Sequence, residues 1–249
     1  MDGVLYHGNH ILPGATKFAR WLEDEGKSYL FLTNSGERTP RELSEKLKRL
    51  GIVVDETHFY TSALATAHFL ASQKPGGSAY VIGNAGLINA LYEAGYSMND
   101  VDPDYVVVSE TPEYNFTRIC RAIKLVRGGA KLIGTNPDMT GPIEGGDIVP
   151  ATGSLMAPIE LATGAKPYFI GKPNPLIMRN AIAQLGVGRK DTAIIGDRMD
   201  TDILAGIEAG MMTVLVLTGV TSEAELFDFA YRPDYILDDI GCVPAPVFG

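Results

Sequence analysis

The sequence predicts an α/β fold built on parallel sheet, and three observations carry that expectation. Short apolar runs such as Ala193-Ile194-Ile195 and Thr213 to Leu217 read as strands buried on both faces. Helix-like stretches with one apolar face alternate with these runs, joined by short turns rich in Gly, Pro and Asp. Acidic and amide residues stand where several strands end, and in an open α/β sheet that edge is where ligands bind.

Taken in order, Met1-Asp2-Gly3-Val4-Leu5 reads as the end of a strand and the turn after it, so the body of that strand is expected upstream of Met1. Pro13 to Gly26 reads as a helix whose apolar face is Ala15, Phe18, Ala19, Trp21 and Leu22. Ser28 to Thr33 is a buried strand closing on Asn34-Ser35-Gly36, and Thr39-Pro40 opens a helix with Leu43, Leu47 and Leu50 on one side. Phe59 to Ser62 is a short strand and Ala63 to Ala71 a helix. Pro75-Gly76-Gly77 then breaks the pattern and marks a change of domain.

A second α/β set follows. Its strands are expected at Ala79 to Ile82, Tyr105 to Val108 and Lys131 to Thr135, with helices over Leu87 to Ala94, Phe116 to Val126 and Leu155 to Ala162, the last capped by Ser154. The stretch Asn136 to Gly146 reads as a loop. Strand–helix alternation then resumes with Tyr168 to Ile170, Leu176 to Leu185, Ala193 to Ile195, Ile203 to Ala209, Thr213 to Leu217 and Tyr235 to Leu237.

The 249 residues suffice for one large domain or two modest ones, and 45% hydrophobic with 20% charged residues is ordinary for a globular protein. A net charge of −9 without a Lys/Arg run argues against nucleic acid as a partner. No apolar run approaches the ~20 residues of a membrane span, so no membrane partner is expected. Two cysteines, Cys120 and Cys242, form neither a metal-binding spacing nor a disulfide framework, which fits a cytoplasmic setting.

The strongest chemical signal is Gly196-Asp197-Arg198-Met199-Asp200-Thr201-Asp202, with three carboxylates in six residues after a buried strand. Such hard oxygen ligands suit Mg²⁺. A bland alternative makes Asp200 or Thr201 a helix cap and Asp197 a turn residue. Polar strand ends also occur at Asp2, at Thr33-Asn34 and at Lys172. If those strands are neighbours in one parallel sheet, all four ends face one crevice. A phosphate dianion would there meet hydroxyl and amide donors, a fixed cation and a carboxylate-held metal, as metal-assisted displacement at phosphorus requires. His7, His10, His58 and His68 show no ligand spacing, and only His7 or His10 is placed to line the mouth of such a site.

The set Asp2-Gly3-Val4-Leu5, Leu32-Thr33-Asn34, Gly171-Lys172-Pro173 and Gly196-Asp197 with Asp202 resembles the haloacid dehalogenase (HAD) superfamily, and within it the NagD-like, or 4-nitrophenylphosphatase-like, group. Phe59 to Ser62 and Thr135-Asn136-Pro137-Asp138 extend the likeness over nearly the whole chain. The resemblance implies a Rossmann-like parallel-sheet HAD core at 1–63 and 167–249 with an inserted α/β cap domain at 64–166. It implies an Mg²⁺-dependent phosphomonoesterase acting on small phosphate esters, such as nucleotide or sugar phosphates, through an aspartyl-phosphate intermediate. Asp2 would be the general acid/base, its carbonyl also ligating Mg²⁺. Thr33 and Asn34 would hold the phosphoryl group, with Lys172 neutralising it and Arg198 touching it. Asp197 would ligate the metal, and Asp202 would join or support its shell. The loop from Asn136 to Asp147 is expected to read the leaving group, and cap-to-cap pairing would make a homo-oligomer.

One departure stands out. The family motif is Asp-x-Asp-Gly with the first Asp as nucleophile; here Asp2 matches the second, Met1 matches x, and the nucleophile's position falls ahead of Met1. Loss of a catalytic nucleophile costs on the order of 10⁶ in rate by analogy with a serine hydrolase. The sequence as written is therefore expected to bind phosphate and Mg²⁺ weakly and hydrolyse little, with the natural start upstream. The rival from another class is a non-catalytic phosphate-binding or regulatory module. A receiver-type reading is disfavoured because Lys172 precedes the last acidic cluster.

Overall fold

The computed structural model describes residues 1–143, 147–244 and 247. The chain divides into two compact units: Met1–Leu32, Ser44–His58 and Lys172–Gly249 form the first, and Thr33–Leu43 with Phe59–Gly171 the second.

The first unit carries a parallel sheet in the order Ala193–Gly196, Met212–Val216, Tyr235–Leu237. Val214, Leu215 and Val216 are fully buried, as the unbroken apolar run of the middle strand demands. Asp234 fastens the outer strand by accepting from both the amide and the hydroxyl of Thr213 at 2.8 Å. Helices Ala15–Asp24, Pro175–Leu185 and Leu204–Ala209 belong to this unit. The first buries Ala15, Phe18 and Leu22 at helical spacing, and Asn174 caps the second by accepting from the Leu176 amide at 2.9 Å. A small antiparallel ribbon, Tyr6–His7 with His10–Ile11, follows the Asp2-Gly3 turn.

The second unit is a five-stranded, all-parallel sheet in the order Tyr168–Phe169, Lys131–Gly134, Tyr105–Val108, Ser78–Ile82, Ser97–Met98. Its core joins Ile82, Val106 and Val108 of the sheet to Ala122 of helix Phe116–Arg127 and to Met156 and Ile159 of helix Thr152–Thr163. Asn115 caps the first of these helices by accepting from the Arg118 amide at 3.1 Å.

Several expectations are corrected. The strands before Lys172 and Asp197 do not share one sheet, because Tyr168–Phe169 pairs with Lys131–Gly134 in the second unit. The stretch read as a loop from Asn136 contains strand Thr140–Pro142, paired antiparallel with Ile148–Pro150; residues 144–146 of that loop lie outside the described residues. Its Gly and Pro content concealed an irregular two-stranded ribbon. Ser154 lies inside its helix, where its hydroxyl donates to the Met139 carbonyl at 2.5 Å, and the capping position is Ala151. Neither Asp200 nor Thr201 caps a helix: a turn of π-helix, Met199–Ile203, precedes Leu204–Ala209. Among the described residues, no helix is long and apolar enough to cross a membrane.

Candidate active site

In the first unit the site grows from the carboxyl end of Ala193–Gly196. The chain turns at Asp197, whose carbonyl accepts from the Thr221 amide at 3.0 Å while its Oδ2 accepts from the Val220 amide at 2.9 Å. Gly219 and Gly3 press against this carboxylate so closely that a Cβ on either would run into it, and Gly3 also takes φ +76°. The Thr218 hydroxyl donates to the Gly3 carbonyl at 2.6 Å, tying the Asp2-Gly3 turn to the loop that holds Asp197.

The π-turn decides where Asp202 goes. The amides of Asp202 and Ile203 both donate to the Arg198 carbonyl, at 3.0 and 3.1 Å, and this widened turn brings Asp202 back over Gly196, where a Cβ would collide with it. Asp202 then accepts from Lys172 Nζ at 2.5 Å through Oδ1 and from the Arg198 amide at 3.2 Å through Oδ2. Lys172, Asp197 and Asp202 are 7%, 5% and 5% exposed, so three charges share a nearly dry pocket.

Burial is the largest influence on both acids and pushes each upward, yet they end on opposite sides of the usual carboxylate range. The charge of Lys172 and its hydrogen bond carry Asp202 below that range. Asp197 stays above it, raised by burial and then by the Asp202 charge, against the weaker pull of the Val220 amide and Lys172.

Asp2 stands at the wetter rim, its side chain 40% exposed and Oδ1 3.2 Å from His7 Nδ1. That histidine, which the sequence offered only as a residue near the site mouth, is thus a partner of the predicted acid/base. The Arg198 guanidinium pairs with Asp200 through two contacts, 3.0 and 2.7 Å.

Thr33 and Asn34 lie in the second unit, in a different kind of setting. Thr33 Oγ1 accepts from the Ser35 amide at 3.2 Å. The Asn34 carbonyl accepts from Ser62 Oγ at 2.5 Å and from Asn136 Nδ2 at 2.8 Å, while the Asn34 amide donates to Asp138 Oδ2 at 3.1 Å. Asn136 Nδ2 also reaches Glu110 Oε1 at 2.6 Å, and Glu110 Oε2 accepts from the Gly36 amide at 3.4 Å. Asn136-Pro137-Asp138, expected to read a leaving group, here holds the Thr33-Asn34 turn in shape. Ser62 stood in the quoted stretch Phe59 to Ser62 without a role assigned to it, and Glu110 belongs to no motif.

A divalent cation fits the chemistry of the acidic pocket. Asp197 is a buried carboxylate held above its normal range beside a second acid, and a hard cation would relieve both effects. Among the described residues no group of three or more His, Cys, Asp or Glu stands ready to hold a metal. The ligand set implied by the sequence uses the side chains of Asp197 and Asp202 with the Asp2 carbonyl, which is fewer acids than such a group needs.

Comparison with known proteins agrees with this architecture. The family described as haloacid dehalogenase-like hydrolase matches residues 1–97, and the HAD-hydrolase-like family matches residues 169–242. A dihydroxyacetone phosphatase of Corynebacterium glutamicum is 48% identical over 240 residues, spanning 96% of this chain and 87% of the relative. The ribonucleotide monophosphatase NagD of Escherichia coli K12 is 42% identical over 240 residues, spanning 96% and 94%. A solved 4-nitrophenylphosphatase structure from Thermotoga maritima superposes with a TM-score of 0.92 at 32% identity, covering 97% of this chain and 92% of that one.

Proposed function

The chain belongs to the haloacid dehalogenase-like hydrolases, in their NagD and 4-nitrophenylphosphatase branch, and from that premise we propose that it hydrolyses small phosphate monoesters with the help of Mg²⁺. The observation that carries the reading is the buried trio of Lys172, Asp197 and Asp202 at one strand end, where the two acids are driven to opposite sides of their usual range.

In this reading Lys172 offsets phosphoryl charge, Thr33 and Asn34 donate to the phosphoryl oxygens, and Arg198 assists. Asp2, at the wetter rim with His7 beside it, gives a proton to the leaving oxygen and later takes one from water. Asp197, Asp202 and the Asp2 carbonyl would hold Mg²⁺. When bound, the ion supplies charge neutralisation and orients the phosphate.

The substrate class is inferred from relatives named for dihydroxyacetone phosphate and ribonucleotide monophosphates: a triose phosphate or a nucleotide is favoured over a polymer. The strongly negative net charge supports a partner list without nucleic acid. Residues 64–166 are read as the cap that selects the leaving group. Pairing of caps into a homo-oligomer belongs to the same reading. Two exposed free cysteines support a reducing, cytoplasmic location.

The test is a phosphate-release screen over dihydroxyacetone phosphate, glycerol phosphates, sugar phosphates and nucleoside monophosphates, each with Mg²⁺ and with EDTA. The reading expects Mg²⁺-dependent release from one small ester, or, where turnover is slow, Mg²⁺-dependent binding of inorganic phosphate that Lys172→Ala abolishes. Absence of both would overturn it. Phosphate binding that never leads to release on any ester would favour the non-catalytic module.

A further inference from the structure

Glu110 touches the turn that follows Thr33, yet it takes no part in the proposed chemistry. It lies just past the end of Tyr105–Val108, the middle strand of the second unit's parallel sheet. Lys131–Gly134 and Ser78–Ile82 flank that strand in register, so three carboxyl ends stand side by side. Ligands of open α/β sheets bind at this edge. The Thr33-Asn34 turn lies on it: a Cβ on Gly36 would meet Ser109 Oγ at 2.6 Å, and the Asn34 carbonyl accepts from Asn136 Nδ2 at 2.8 Å.

Glu110 is half-buried there, with three protein donors. Its Oε1 accepts from Asn136 Nδ2 at 2.6 Å, and its Oε2 accepts from Ser109 Oγ at 3.1 Å and from the Gly36 amide at a long 3.4 Å. A carboxylate has about four lone-pair sites, so acceptor capacity is left on a side chain that solvent reaches. Among the described residues, no Lys or Arg pairs with it. A full negative charge is not needed to orient an amide. The side-chain carbonyl of a glutamine would serve Asn136 equally and would not repel an anion held at Asn34. What the charge adds is strong acceptance from hydroxyl donors and repulsion of a second anionic group.

We propose that Glu110 is a specificity-determining residue, which accepts hydrogen bonds from hydroxyls of the leaving group and excludes leaving groups that carry another anionic group. The class it selects is the phosphate of a neutral, hydroxyl-bearing carbon frame. The class it rejects is the bisphosphate or the phosphorylated acid. The inference rests on the reading that Thr33 and Asn34 hold the phosphoryl group, and it concerns what lies beyond that group.

Three esters on one three-carbon frame test it: propyl phosphate without hydroxyls, glycerol 3-phosphate with two, and 3-phosphoglycerate with one and a carboxylate. Their Kd values for the full chain with Mg²⁺ are measured by calorimetry beside that of inorganic phosphate. Glycerol 3-phosphate is expected to bind at least about tenfold more tightly than either of the other esters. Glu110→Gln keeps an acceptor for Asn136 and should narrow both ratios to within about threefold. Ser109→Ala removes a donor to Oε2, leaves the charge and should preserve the ranking. Unchanged ratios in Glu110→Gln, or an equal shift in Ser109→Ala, would overturn the proposal and leave Glu110 a purely structural role. Phosphate release is scored separately. The expected ratios without release from any ester would overturn the hydrolase reading alone, and failure of every ester and of inorganic phosphate to bind would overturn both.

Discussion

The two polar clusters of this molecule are buried to similar degrees and built in opposite ways. Around Asn34 hydroxyls, amides and carbonyls meet the carboxylates of Asp138 and Glu110, the latter without a cation bonded to it there, with Asn136, Ser62, Ser109 and Thr135 all at 0% exposure and joined in one connected network. In the other cluster Asp197 is held by the Val220 amide and Asp202 by the Lys172 ammonium, and the two acids are driven in opposite directions. A buried hydrogen-bond network of this kind fixes a turn in one shape. A charged pocket with a carboxylate held above its normal range stores an unmet demand for positive charge, which a cation can answer. One cluster is suited to positioning and the other to chemistry.

The sharpest way to break the comparison is Lys172→Ala. It strands Asp202 in a site 5% exposed, and removing one partner of a buried pair costs about 3–5 kcal/mol. Urea melts should show that loss, whereas Lys172→Met with Asp202→Leu should recover most of it. The double variant should stay inactive, and recovery of phosphate release by it would contradict the charge role.

Asn136→Ala attacks the network around Asn34. It removes donors to the Asn34 carbonyl and to Glu110, but Ser62 still reaches that carbonyl, so about 1–3 kcal/mol of stability is expected to go. On the proposed reading KM for the ester should rise more than kcat falls, because the turn is loosened while the charged pocket is intact. A kcat collapse at unchanged KM would show that the two clusters are not separable in this way.

The charged cluster also predicts a pH signature. A folded-state carboxyl raised above its unfolded value binds its proton more tightly when folded, so its contribution is present at low pH and lost as pH rises through the raised value. Asp197→Asn should remove that loss and stabilise the metal-free protein at neutral pH by about 0.5–2 kcal/mol, while abolishing any rise in melting temperature on adding Mg²⁺. Melts with EDTA and with Mg²⁺ at several pH values check both halves. A destabilised Asn variant would mean that Asp197 is not held against its preference.

The smallest effect is expected at the edge of the charged cluster. Arg198→Lys weakens the two-contact pair with Asp200, whose side chain is 54% exposed, so no more than about 0.2–1 kcal/mol should change. A larger loss in phosphate affinity than in stability would support the proposed phosphate contact of Arg198.

Much of this was legible in residue order. Helix Pro40–Arg49 and the strand Tyr105–Val108 lie where apolar spacing and turn residues put them, because each buries a face that its own pattern defines. The ribbon Thr140–Pro142 with Ile148–Pro150 was not legible, since short exposed strands carry no alternation to read. The Gly196 to Asp202 spacing announced an acidic strand end, but not the π-turn that folds Asp202 back towards Lys172.

Read without coordinates, the chain determined its α/β class, the position of most elements and the residue types that gather at strand ends, because hydrophobic period and turn chemistry are local properties. Tertiary structure alone decided that Tyr168–Phe169 pairs in the second unit, that Asn136 and Asp138 grip Asn34, and that Asp197 and Asp202 titrate in opposite directions. Each of these depends on distance and burial between residues far apart in sequence, and neither quantity is written in the order of the residues.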